Sequence, residues 1–225
     1  IRIRQMKIKV VNFLSKPKKT FFAPEWNYFM FESFLKDINF KDLSSLILTK
    51  KESILKLPFS SKEGSEDGYT GLGKNSTTAR YSNYNVLKWK DNKIKKIKKQ
   101  IIKFHNEILI IMKQPPVNEL YAQCWVNILE KGQKINPHLH TVQPNTYLGG
   151  HICVKCTNTS TKYINPINQI NEPETYSSKN EVSKITLFQN NIPHYTDTHN
   201  SDSERITIAF DLSLEKLNEN DIQLI

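Results

Sequence analysis

The chain has 225 residues, a formal net charge of +10 and 38% hydrophobic residues, enough to bury the core of one large domain or two small ones. No run approaches the ~18 apolar residues that a membrane-spanning helix needs. Three cysteines (Cys124, Cys153 and Cys156) cannot build a disulfide framework and fit a reducing compartment, the cytoplasm, or a host's cytoplasm were the chain phage-encoded. Residues 1–19 are basic without a sustained apolar stretch, so they do not read as a secretory signal, and Met6 is a candidate natural start.

Lysine (28), isoleucine (25) and asparagine (22) make up a third of the chain, the mark of an A/T-rich coding sequence such as a microbe's or a phage's. Charge is nevertheless uneven. Residues 1–113 carry 24 basic and 10 acidic side chains, residues 114–225 carry 8 and 12, and the break falls at Gln114-Pro115-Pro116. Residues 1–113 therefore read as a helical N-terminal region packing on a core formed by 114–225, one structural domain overall.

In chain order, Trp26–Leu48 shows roughly helical apolar spacing (Phe31, Phe34, Leu35, Ile38, Leu43, Leu46, Ile47) with a break near Asn39. Residues 60–78, with four glycines, read as a loop. The clearest helix is Asp91–Met112, where Ile94, Ile97, Ile101, Phe104, Ile108 and Ile111 line one face, Asp91 caps the start and the proline pair stops the end. Its lysines (Lys93, Lys95, Lys96, Lys98, Lys99, Lys103) could contact phosphates. The lysine bias and the near absence of arginine favour a solvated face, so nucleic acid is a possible but not a favoured partner.

The period then changes. Tyr121–Leu129, Tyr147–Lys155, Lys184–Gln189 and Arg205–Leu214 read as strands with no helix between them, which argues an antiparallel sandwich or barrel. Within the polar segment 157–183, Thr161-Lys-Tyr-Ile-Asn-Pro holds a further short strand. His151, Cys153 and Lys155 fall on one face of theirs; Cys153-Val-Lys-Cys156 lacks the second pair that a zinc ribbon needs.

The chemistry concentrates in Gly132-Gln-Lys-Ile-Asn-Pro-His138-Leu-His140, followed later by Pro193-His194. On a strand, residues i and i+2 project to one side, so His138 and His140 can grip one ion, and His194 from another strand would complete three ligands. Imidazole suits iron, zinc, nickel and copper alike. Arg205 heads an apolar strand, where its planar fork could take a carboxylate.

These residues resemble prolyl-hydroxylase-like 2-oxoglutarate/Fe(II) dioxygenases, most closely an oxygenase branch of bacteria and marine phages. Gly132-Gln-x-x-x-x-His138-x-His140 is similar to that superfamily's Gly-Gln-x-Tyr-x-x-His-x-Asp, Leu187-Phe-…-His194 to its second histidine strand, and Arg205-Ile-Thr207 to its Arg-x-Ser. Trp125-Val-Asn127 and Gly149-Gly150 add to the resemblance, which covers roughly residues 120–215. It implies an α+β chain, mainly a β double-stranded helix (jelly roll) with N-terminal helices packed on the sheet. It also implies Fe(II) on His138 and His194, and 2-oxoglutarate anchored by Arg205 and Thr207. The expected function is oxidation, by hydroxylation, of an unknown small molecule or protein side chain.

Two positions depart from the pattern. His140 stands where the superfamily has a carboxylate, so the expected metal set is His138, His140 and His194. Were His140 not a ligand, a carboxylate or a water would have to take its place on the metal, with an acid nearby, and the nearest acid in sequence is Glu130. Ile135 stands where the superfamily has a tyrosine, and Tyr147 is the candidate replacement as a cosubstrate contact. Gly132-(x)5-His138-x-His140 is also similar to the first cupin motif, which gives the alternative of a cupin-like metal protein or a dioxygenase without 2-oxoglutarate. The cupin glutamate is missing from 141–148, and Arg205 favours the oxygenase.

Overall fold

The structure, a computed structural model, describes residues 5–15, 19–22, 24–61, 65–140, 145–167 and 174–225. Its strands are β1 (Lys9–Leu14), β2 (Asn27–Phe34), β3 (Tyr121–Leu129), β4 (Thr146–Lys155), β5 (Ser160–Ile164), β6 (Thr175–Lys179), β7 (Lys184–Gln189), β8 (His194–Thr196), β9 (Arg205–Ser213) and β10 (Ile222–Gln223). Two helices, α1 (Phe40–Leu55) and α2 (Asn92–Ile111), precede β3. A seven-stranded sheet runs β1-β2-β7-β4-β9-β3-β10 and a three-stranded sheet runs β6-β5-β8, every pairing antiparallel. This is the expected jelly roll with helices on one face.

The N-terminal half departs from its helical reading. Residues 27–34 form a strand, and β1 and β2 extend the large sheet beyond β7, so that sheet takes strands from both sides of residue 113. Four consecutive residues of β2 (Met30, Phe31, Glu32, Ser33) are buried, so both faces are covered and the strand loses the strict alternation that would have marked it. The predicted break at Asn39 is real. Asn39 Oδ1 accepts from the Asp42 amide at 3.1 Å and caps α1, a contact worth about 1 kcal/mol.

Helix α2 follows its periodicity. Asp91 Oδ1 accepts from the Lys93 amide at 2.7 Å, and Ile94, Ile97, Ile101, Phe104 and Ile108 are buried, whereas Ile111 is exposed beyond the end of the contact. These side chains meet Ala122, Cys124, Val126 and Ile128 of β3 and Ile206, Ile208, Phe210 and Leu212 of β9 in the main core. Each large aliphatic so buried contributes about 1.5–3 kcal/mol against its exposed state. With every even residue committed to the helices, the odd residues of β3 and β9 face the other way, toward the small sheet.

The small sheet is extended by the segment after Gly132, whose φ of +86° makes the turn that a side chain would strain. Gly132, Ile135 and His138 are tied backbone to backbone to His199, Thr196 and His194, at 2.7–3.1 Å. The polar segment between β4 and β7 holds β5, as expected, and also β6.

Candidate metal and cosubstrate site

A cavity of about 310 Å³ lies between the two sheets. The large sheet contributes Trp125, Asn127, Arg205, Thr207, Ala209 and Asp211; the small sheet contributes Thr161, His194 and Thr196; the Gly132 segment contributes Ile135, His138 and His140. The glycine-rich loop forms part of the wall through Ser65, Asp67, Gly68, Tyr69 and Thr70. Gly71 (φ +78°) is needed there, because a Cβ would lie 2.2 Å from Asn136 Nδ2.

His138, His140 and His194 converge at one end, with one ligand atom from each within 4.8 Å of the others. The convergence does not come from a regular strand. His138 and His194 form an isolated bridge, exchanging two backbone hydrogen bonds of 3.1 Å, and His140 follows two residues on. Ring centroids are 4.3 Å apart for His138–His194, 5.0 Å for His140–His194 and 5.8 Å for His138–His140.

Each Nδ1 has an acceptor: Asn136 carbonyl oxygen for His138 (2.9 Å), Ile192 carbonyl oxygen for His194 (3.2 Å) and Asp211 Oδ1 for His140. Acceptors on all three Nδ1 atoms put the proton there and leave three Nε2 lone pairs for one cation. Burial, and then the neighbouring histidines, depress the pKa of His138 to about 4 and that of His194 well below its ordinary value. Both are therefore neutral at neutral pH, the form that binds a metal. The donor set fits a borderline divalent ion such as Fe(II).

Arg205, at the start of β9, is 1% exposed, and its Nε and Nη1 have no hydrogen-bond partner among the described residues. Burial lowers its pKa, and a guanidinium held from water with two of its nitrogens unbonded costs several kcal/mol. A dicarboxylate reaching from the histidines to Arg205 would remove that cost, so this end of the cavity fits 2-oxoglutarate. Thr207 lies two residues along the same face.

Tyr147 is not brought to the site. Its hydroxyl bonds His105 Nε2 of α2, on the helix side, and it does not line the cavity. The register shift between Thr146 and Leu148 breaks the alternation that would have grouped Tyr147 with Gly149 and His151. His151 does line the cavity, and burial together with Arg205 depresses its pKa to about 3. Glu130 pairs with Lys51 at 3.2 Å; the acid beside His140 is Asp211. The sequence signal for Asp211 was its even spacing from Arg205, which places both on one face of β9.

Residues 123–211 match a family model described as "Putative 2OG-Fe(II) oxygenase". No curated protein matches the sequence. Among solved structures, AviO1 from Streptomyces viridochromogenes Tue57 aligns with 82% of this chain and 89% of its own (10% identity, TM-score 0.53). The epimerase SnoN, in complex with Fe3+, alpha ketoglutarate and nogalamycin RO, aligns with 87% of this chain and 94% of its own (6% identity, TM-score 0.52). A 2OG-Fe(II) oxygenase family oxidoreductase from Burkholderia pseudomallei aligns over 45% of this chain and 48% of its own, about half its length (15% identity, TM-score 0.38). The family model matches less than half of the chain, and AviO1 and SnoN share its fold. The matched segment runs from β3 into β9, the part of the chain that carries His138, His140, His194 and Arg205.

Proposed function

We propose that this protein is a hydroxylase in which His138, His140 and His194 hold Fe(II) and Arg205, with Thr207, takes the far carboxylate of 2-oxoglutarate. The observation that carries this reading is the pairing, across one cavity, of three convergent imidazoles with a buried arginine that has two nitrogens without a partner among the described residues. Bound Fe(II) supplies the redox chemistry by which 2-oxoglutarate, O2 and a substrate C–H bond yield succinate, CO2 and the hydroxylated product. The chain's residues orient and exclude. The three Nδ1 hydrogen bonds hold the imidazole rings toward one point. Arg205 fixes the dicarboxylate's direction, and Ile135, Trp125 and Ala209 give the cavity apolar wall that limits water.

The substrate enters past residues 65–70 and is a small molecule or a single protein side chain, in keeping with the cavity's size. The free cysteines Cys124, Cys153 and Cys156 support a reducing, cytoplasmic setting. Among the described residues no helix is long and apolar enough to cross a membrane. The test is release of labelled CO2 from 1-labelled 2-oxoglutarate with Fe(II). The wild type turns over and Arg205→Ala does not, with iron content unchanged. Equal turnover in the variant would overturn the anchor assignment, and no turnover in either would favour a metal protein that does not use 2-oxoglutarate.

A further inference from the structure

Three neutral imidazoles leave a divalent cation with its full charge, and the fold answers this at one ring only. His138 and His194 give Nδ1 to backbone carbonyls, whereas His140 gives Nδ1 to a carboxylate. Asp211 reaches His140 from the last long strand, on the cavity face that also carries Arg205 and Thr207. The ring between is held on its other sides as well. Phe188 meets it edge-on at 5.2 Å, Trp125 lies at 5.8 Å, and Gly149 leaves the room it needs, since a Cβ there would sit 2.7 Å from Nδ1. A ring clamped this way has one nitrogen toward the carboxylate and the other toward the two remaining histidines.

We infer that Asp211 is a positioning residue for the metal, supplying through His140 the negative charge that the three-histidine set lacks. The inference rests on the ligand assignment proposed above. A carboxylate on the far nitrogen of a ligating histidine fixes the tautomer and makes the near nitrogen a stronger donor, and losing such a partner typically weakens metal binding about 10–100-fold. Asp211→Asn keeps an oxygen that can accept from Nδ1 but removes the charge. Asp211→Ala removes both. The order of loss, alanine above asparagine, separates charge from orientation.

The experiment measures Co(II) affinity of the metal-free protein by competition with a chromophoric chelator, with the Co(II) d–d spectrum as second readout. Circular dichroism of each metal-free variant establishes that it is folded, and either Asp211 variant suffices if the other fails that check. The expected result is about a tenfold loss for Asp211→Asn, more for Asp211→Ala, and a shifted d–d band. The same Asp211 changes are then made in His140→Asp, where position 140 carries its own charge and has no Nδ1 to orient. There they should cost no affinity. Wild-type affinity in Asp211→Ala, or an equal loss in both backgrounds, would overturn the inference. His140→Ala run alongside separates the two levels: undiminished Co(II) binding in that variant would overturn the ligand assignment itself.

Discussion

The two faces of β3 and β9 are built from the same backbone one residue apart, and they do opposite work. Ala122, Cys124, Val126 and Ile128, with Ile206, Ile208, Phe210 and Leu212, face α2 and form the main core. Trp125, Asn127, Arg205, Thr207 and Asp211 face the cavity. The first face gains free energy from burial alone and would tolerate many apolar sequences of the same volume. The second spends free energy on a buried guanidinium and on polar groups that only a ligand or a neighbouring side chain can satisfy. Stability and chemistry are thus divided by parity along the strand.

That division can be broken from either side. The largest effect is expected at Gly149, whose missing Cβ accommodates the His140 ring. Gly149→Ala should weaken Co(II) binding by about 100-fold, because the ring must leave its place or the strand must move. Chelator competition measures it, and near-wild-type affinity would show that the clamp is unnecessary. On the helix face, Ile101→Ala should lower unfolding free energy by about 2–5 kcal/mol in urea and leave Co(II) affinity within a factor of two, about the resolution of the assay. A large change in metal affinity would mean that the faces are coupled.

The smallest effect is a pH dependence that belongs to the cavity face. His151 is buried and its pKa is depressed from 6.5 to about 3, so below 6.5 the unfolded chain binds a proton that the folded chain refuses. Stability of the metal-free protein should therefore fall as pH drops from 6.5 toward 3, by about 2 kcal/mol at pH 5 for this group. Urea titrations at pH 7.5 and 5 test it. The His151→Gln variant should lose less stability over that interval than the wild type, and an equal loss would assign the effect elsewhere.

The same parity explains what could be read from the sequence. The α2 face was legible because it repeats with one side apolar, and β3, β7 and β9 because they are short β-rich runs bounded by turn residues. The site histidines and Arg205 were legible as polar residues out of keeping with those patterns. Strand β2 was not, because Phe31, Phe34, Leu35 and Ile38 fall at helical spacing and run on toward the true helix α1. Tyr147 was misplaced because an irregularity in pairing leaves no mark in composition. Asp211 was overlooked for a different reason: its role depends on a side chain 71 positions away, and spacing shows only the face it shares with Arg205.

The central claim is that one cavity holds a metal on three histidines and a dicarboxylate on Arg205. The most direct measurement is a crystal structure grown without oxygen in Fe(II) and N-oxalylglycine, with anomalous scattering recorded at the iron edge. The account predicts one iron peak about 2.1 Å from Nε2 of His138, His140 and His194, with the analogue's far carboxylate on the Arg205 guanidinium. An iron bound by only two of these histidines, or an analogue carboxylate held away from Arg205, would contradict it.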